Sequence, residues 1–520
     1  MTDFDAIIIG AGHNGLVCAG YLAKSGKKVL VLEARSTPGG CAATHEFSPG
    51  FKVSSCAQWL YQLSPTVVSD LKLKQHGLTY AAEGLATLAL DEGGDHLRLQ
   101  GDLAEGGGIS AEDQKAYPIF RKKMRKYAKL MKTAYEVRPP KLVEHDLRDK
   151  VTLAKLGLGM KLLGKDDMSD LMRLILINIF DVMKETFQSP KLQAALALDA
   201  VIGTPMGPRS PNTVFTYLHR FFGEVLGFEG ATQVRGGMGA LGTALSNAAS
   251  DLGAVIRYDA SVASIDKTHD RVTGVTLNSG EQLTAKLIVS SADPKTTFKS
   301  LLGYQHMEAG LVRRIEQIRF KSGTVKVHLA LSSLPDFTGL DQSALGQRLV
   351  IAPSLNALES AFNPLKYDES SERPVMDISI PSIHDPGLAP SGQHVLSAIV
   401  QYAPLNPKGG WDALRGPFMA AVIAELARYA PSIESIITAK ELLTPADLAE
   451  TFGMTGGNWH HGELTMDQVL MTRPATGISQ YKTAIEGLYL CGAGSHPGGG
   501  LMGLAGKNSA EEIIRQGAKA

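Results

Sequence analysis

Hydrophobic positions along the chain alternate between short apolar runs and helical stripes, and their order predicts the architecture. Residues 6–9 form an apolar, β-branched run suited to a strand covered on both faces, and it breaks into glycines at 10, 12 and 15. A helical stretch over 16–24 follows, Gly26 closes it, and a second apolar run covers 29–32. Farther on, glycines 236, 237 and 239 precede a helical run at 241–252 and a returning strand at 253–256. Short strands at 262–265, 272–277 and 287–289 then read as a meander. Near the end, a strand over 487–490 enters another glycine turn and a helix over 505–514. Between these blocks lie helical patterns at 117–135 and 171–187, and strand-like runs at 324–331, 375–380 and 394–401. The pattern predicts an α/β protein with two interleaved units: 1–70, 230–300 and 480–520 in one, 71–229 and 301–479 in the other.

Composition narrows the function classes. With 44% hydrophobic and 20% charged residues, the chain can bury large cores. Lys+Arg and Asp+Glu are both 52, which excludes the excess positive charge on which nucleic-acid affinity rests. Four cysteines, at 18, 41, 56 and 491, form no C-x-x-C pair, so neither a disulfide framework nor a thiol redox centre is expected. Glycine reaches 55 of 520 residues, above the usual ~7%, and signals close backbone approach to a ligand. No uncharged run has the length of a membrane span and the first residues lack a signal-peptide pattern, so a cytoplasmic protein is expected.

Residues 10–15, Gly-Ala-Gly-His-Asn-Gly, make a G-x-G-x-x-G turn inside a βαβ unit. Gly10 permits the tight turn, Gly12 lets a pyrophosphate reach the backbone between it and His13 and Asn14, and Gly15 lets the helix lie on the strand. Glu33, at the end of the second strand, is placed to accept from an adenosine ribose. Arg35 and the pair Gly39-Gly40 follow. Cys41 has no second thiol five residues on, where Glu46 stands, so a dithiol reductase is rejected and Cys41 is expected to be a small residue beside the cofactor.

These residues resemble the E-x-R-x-x-x-G-G signature of the FAD-binding amine oxidase and phytoene desaturase superfamily. The blocks at 235–241 and 262–294 and the G-G-x-x-x-H-G-E stretch at 456–463 resemble its phytoene-desaturase-like branch, and are similar to the pyridine nucleotide-disulfide oxidoreductase domain-containing protein 2 group. The resemblance implies a Rossmann-type, glutathione-reductase-like FAD-binding domain with an inserted α+β substrate domain. It also implies a backbone contact from Val262 to the adenine. Gly492, Ala493 and Leu501 would lie under the isoalloxazine, with an N–H near Met502 aimed at its N1–C2=O edge. Gly-Ala-Gly replaces the Gly-Asp of many relatives at 492–494, shifting the likeness away from typical amine oxidases.

No cysteine or histidine matches a flavinylation motif, so the FAD is expected to be non-covalent. The leading reaction is hydride removal from a carbon of an apolar, polyene or lipid-like substrate to flavin N5. A flavin-dependent double-bond isomerase, an amine oxidase and a non-catalytic flavin-binding assembly protein are the alternatives. With no second G-x-G-x-x-G, electrons are expected to go to oxygen, a quinone or a protein. Candidate proton-handling or substrate-orienting residues are His461, Glu463 and His496. His460 and His461 are read as adjacent on an extended segment, facing opposite ways, and no metal site is expected. Trp59 and Tyr61 are read as packing near the flavin or within a core. Residues 153–165, leucine-rich with three lysines, read either as a membrane-peripheral element or as a lysine-edged core helix. Glycines at 157, 159 and 164 favour the second.

Overall fold

A computed structural model describes residues 4–143 and 146–517 of the 520-residue chain. The first sheet is a parallel stack in the order Val255–Arg257, Val29–Leu32, Phe4–Ile9, Gln282–Ser290 and Leu488–Leu490. The long strand Gln282–Ser290 leaves the stack at its start and pairs antiparallel with Arg271–Leu277, which pairs with Val262–Thr268. Side-chain alternation accounts for the two-sided burial. Ala6, Ile8, Val29 and Val31 face the helices His13–Lys24, Gly239–Asp251 and Leu504–Gly517. Ile7, Ile9, Leu30 and Leu32 face the opposite core with Val275, Phe298 and Ile315. A Cβ on Gly506 would fall 2.1 Å from the Asn14 carbonyl oxygen, so glycine there lets the last helix lie against the first.

The second sheet has eight strands in the order Ile437–Leu443, Thr324–Leu331, His394–Gln401, Val375–Ser379, Arg348–Ile351, Thr87–Ala89, Leu97–Gln100 and Leu103–Gly106. It is antiparallel except between Arg348–Ile351 and Thr87–Ala89. One face, with Val325, Val327, Leu329 and Leu331, forms a core with Phe418, Val422 and Leu426 of the helix Gly410–Ala427. Between those positions lie Thr324, Lys326 and His328, fully buried polar residues on the other face, joined there by Asp377, Ser397 and Gln401. Such residues persist inside only when hydrogen-bonded. This polar face is turned toward the functional cavity described below, where Lys326 and Asp377 bond Gln58.

A third layer is helical, from Ala111–Tyr135 to Thr213–Val225, around Tyr117, Phe120, Met183, Leu192 and Leu218. Two sequence readings are corrected here. Residues 171–187 are not one helix: Lys165–Leu174 ends, and Asn178 caps a new helix, Ile179–Thr186, by accepting from the Asp181 N–H at 2.9 Å. Residues 153–165 lie mostly in the helix Leu147–Leu163, started by an Asp146–Asp149 capping box, and are no core helix. Within that helix only Asp149 is buried, while Leu147, Leu158 and Leu162 are 76%, 57% and 74% exposed. Among the described residues no helix is long and apolar enough to cross a membrane.

Candidate flavin and substrate site

A cavity of about 420 Å³ runs from the first glycine turn, beneath the last one, to the polar face of the second sheet. Gly10 stands at φ +91°, and a Cβ on it would fall 2.6 Å from Ser291 Oγ. Around Gly12, by contrast, a Cβ would meet nothing within 4 Å, which leaves room for a ligand against the backbone. Gly12 pairs with Gly39 in an isolated bridge, so the two glycine segments meet edge to edge. No side chain caps the N-terminus of His13–Lys24 and no acid lies in its first turn, an arrangement that favours a bound phosphate. Glu33 is buried, and its oxygens accept from the Ala11 N–H at 2.6 Å and the Arg35 N–H at 3.0 Å.

The far turn is laid alongside the first. Gly492, Ala493, Gly500 and Leu501 line the cavity, Leu501 with φ +64°. Behind Ala493 lies Arg473, fully buried, with no carboxylate bonded to it. Its guanidinium donates to four main-chain carbonyls: His460 at 2.5 Å, Ala493 at 2.8 Å, Glu463 at 3.2 Å and Gly462 at 3.4 Å. Burial draws Arg473 down to about 10, still a cation at neutral pH.

Four imidazoles surround this region and burial keeps each neutral. His13 and His219 are drawn down to about 4, His13 further by His461. His460 and His461 are lowered as well, His461 with Asp293 pulling it partly back. His219 bridges the Tyr135 hydroxyl and the Gly499 carbonyl, both at 2.8 Å. Neutral rings can take or pass a proton, and His13 Nε2, His460 Nδ1 and His461 Nδ1 are buried without a partner.

At the other end the chamber is lined by Ala200, Ile202, Ile399, Leu464 and Trp459, with a charged corner. There Arg348 donates to Asp199 at 2.7 Å and to Asp377 at 2.9 Å, Arg220 Nε lies 3.0 Å from Asp199 in an ion pair, and Trp59 donates to Asp377 at 2.9 Å.

Among the residues singled out in the sequence, Gly10, Gly12, His13, Asn14, Glu33 and Arg35 line this one cavity. So do Gly39, Gly40, Cys41, Val262, Gly492, Ala493, Leu501 and His461. Gly15 does not: its Cβ would fall 2.2 Å from the Gly10 carbonyl oxygen, so it serves the turn. Met502 is buried among Tyr135, Phe222 and Leu504, and the last helix begins two residues after it. Two catalytic candidates stand away from the cavity wall. Glu463 accepts from Arg319 Nε at 2.7 Å, and His496, drawn down to about 4 by burial, bonds the Ala134 carbonyl at 2.8 Å. Nor are His460 and His461 on an extended strand with opposed faces. They occupy a turn, His461 at φ +55°, and both face the cavity. Sequence reasoning passed over Arg220, Asp199, His219, Arg348 and Asp377, for which no motif speaks.

The profile of the family described as flavin containing amine oxidoreductase matches residues 15–407. The chain belongs to this family. Among curated members, pyridine nucleotide-disulfide oxidoreductase domain-containing protein 2 of Rattus norvegicus is 35% identical, with 99% of this chain and 94% of that protein aligned. One subunit of the limonene dehydrogenase of Castellaniella defragrans is 29% identical over 98% of this chain and 94% of its own. The lycopene-forming phytoene desaturase of a Paracoccus species is 26% identical, over 97% and 96%. Among solved structures, a putrescine oxidase superposes with a TM-score of 0.64 at 15% identity, covering 99% of both chains. The cyclohexylamine oxidase of Brevibacterium oxydans does so at 0.60 and 15%, covering 99% of this chain and all of its own. These structures share the α/β fold.

The chain is thus an FAD-dependent oxidoreductase. Its residues fit the cofactor: open space over Gly12, an uncapped helix start beside it, the Glu33 carboxylate one strand away, and buried imidazole nitrogens lacking partners.

Proposed function

We propose that this flavoprotein dehydrogenates a carbon centre of an apolar substrate, lipid-like or polyene in class. The observation that carries the reading is the continuity of the cavity, in which the glycine cradle opens directly onto a chamber walled by Ala200, Ile202, Ile399, Leu464 and Trp459. In this reading, segments 1–70, 230–300 and 480–520 hold the cofactor, and 71–229 with 301–479 build the substrate side. Gly12, His13 and Asn14 hold the pyrophosphate, Glu33 the ribose, Val262 the adenine, and Ala493 and Leu501 the ring. Bound there without a covalent link, FAD supplies the hydride acceptor. The apolar walls exclude water and orient the chain of the substrate, while His461, neutral and facing the cavity, can accept a proton at an unpartnered Nδ1. His460 accepts from the Trp459 indole N–H at Nε2, so its Nδ1 carries the hydrogen and can only donate.

The name of the limonene dehydrogenase relative supports a small apolar substrate, as do those of the phytoene desaturases. Amine oxidation is disfavoured by the corner itself. Both aspartates there are already paired with arginine, Asp199 with Arg348 and Arg220 and Asp377 with Arg348, so no unpaired carboxylate waits for an ammonium group. The leucines standing outward on Leu147–Leu163 support peripheral contact with the lipid phase in which such a substrate dissolves. An anaerobic screen of apolar and amine candidates, followed by bleaching of the bound flavin, tests the reaction. Bleaching by an apolar compound and not by amines is expected. Bleaching by amines alone would reverse the reading.

A further inference from the structure

The charged corner of the chamber is built with more hydrogen-bond donors than it has acceptors. Arg348 is fully engaged: Nε on Asp377, both Nη groups on Asp199. Arg220 is not. Its Nε is held by Asp199 at 3.0 Å and its guanidinium lies over the Tyr61 ring, 4.0 Å from the centroid. Its Nη2 is buried with no hydrogen-bond partner, 3.8 Å from the nearest Asp377 oxygen. The Tyr61 hydroxyl, also buried, has no partner either, and it lies in the field of both guanidinium groups. Both residues line the cavity. Two aspartates balance two arginines, and Lys326, fully buried just beneath, adds a donor that Gln58 and Ser397 occupy at 2.6 and 3.0 Å. Buried donors of this kind are rarely left unmatched, and among the described residues neither Arg220 Nη2 nor the Tyr61 hydroxyl has a hydrogen-bond partner.

Resting on the reading of the chamber as the substrate site, we infer that Arg220 and Tyr61 form a subsite for a carboxylate, so that the substrate is an apolar carboxylic acid whose chain fills the apolar chamber. A carboxylate offers paired acceptor oxygens to a guanidinium edge and a hydroxyl, and such charge-assisted bonds are the strong ones. The stacking on Tyr61 and the ion pair with Asp199 hold the Arg220 plane in place before the ligand arrives, which preserves affinity that a free side chain would lose on ordering.

The test uses the FAD-loaded protein, with oleate and methyl oleate as probes below their aggregation concentrations and tryptophan fluorescence as the binding readout. Oleate is expected to bind at least ~10-fold more tightly than its ester, a charge-assisted bond being roughly twice as strong as a neutral one. Arg220→Met is expected to bring oleate to the level of the ester while the ester itself changes less than about twofold. Tyr61→Phe keeps the ring under Arg220 and removes only the hydroxyl, so it decides the matter even if Arg220→Met folds poorly. It is expected to weaken oleate about three- to tenfold. Equal affinity for acid and ester, or unchanged oleate affinity in Tyr61→Phe, overturns the subsite. The two proposals fail separately. Oleate discrimination in a protein whose flavin no apolar compound bleaches supports the subsite and sinks the dehydrogenase reading. Bleaching by a neutral hydrocarbon, with no preference for acid over ester, does the reverse.

Discussion

The two ends of the cavity are made of different material. Around Gly12 and Gly39 the wall is backbone: glycines, a helix start, and one carboxylate fixed by two N–H groups. Around Arg220 the wall is side chain, drawn from segments near residues 59, 199, 220, 348 and 377 that meet only in the folded molecule. A backbone site is set by local geometry and tolerates little change at its glycines. A side-chain site is set by long-range contacts and can be altered one partner at a time.

Substitution at Gly12 offers the sharpest way to break this contrast. Gly12→Val places its branches in space that is open in the protein, so folding is expected to survive while FAD affinity falls by more than ~100-fold. Gly15→Val, three residues on, would collide with the Gly10 carbonyl and is expected to fail in folding instead. Flavin content against circular-dichroism melts separates the two outcomes. If Gly12→Val keeps its flavin, the turn is not the cofactor cradle.

At the other end, Arg348→Met strips Asp199 and Asp377 of their shared partner and is expected to destabilise the protein by about 3–5 kcal/mol in urea titration. A loss below about 1 kcal/mol would show that the corner is not held by this charge network.

Acid sharpens the comparison next. His13, His219 and His496 are near 4 when folded against 6.5 ordinarily. Between those values the unfolded chain binds protons that the native state refuses. Stability is therefore full above about pH 6.5 and falls as pH drops toward 4, by about 3 kcal/mol for each histidine at full protonation. Melting temperature against pH should be flat from 7 to 8 and slope steeply below 6.5, and His496→Gln should make the slope shallower. A flat profile down to pH 4.5 would contradict the burial of these rings.

The smallest effect belongs to Glu33→Gln, which loses the charge and keeps one acceptor oxygen, its amide nitrogen facing one of the two backbone N–H groups. FAD should weaken by about 1–3 kcal/mol in equilibrium titration, with the fold intact.

The same contrast explains what the sequence made legible. Glycine spacing, two apolar strands and Glu33 announce the cradle because backbone geometry demands particular residues at fixed intervals. The meander at 262–290 and the last strand with its helix were readable for the same local reason. Arg220 and Asp377 were not, because each looks like any surface charge until segments 157 residues apart in sequence come within 3.8 Å. Glu463 misled in the opposite direction: it sits in a histidine-rich stretch, yet Arg319, 144 residues away, claims it. The break near Asn178 was written locally, in an Asn with an Asp three residues on, and the apolar run around it masked the cap. The outward leucines of Leu147–Leu163 could not be foreseen, since periodicity gives a helix its faces but not which neighbour covers them.

The order of strands in the parallel sheet bears on how the protein is born. Phe4–Ile9 leaves the ribosome ahead of its neighbour Gln282–Ser290, which comes some 280 residues later, and Leu488–Leu490, which flanks that neighbour, later still. The cradle at Gly12 therefore waits, half walled, until both of those strands have been made, and the Ala493 side of the cavity is made later than the Gly12 side. Capture of the flavin thus becomes a late event in biosynthesis, and cells short of riboflavin should accumulate chains whose cradle is unsealed and open to proteases.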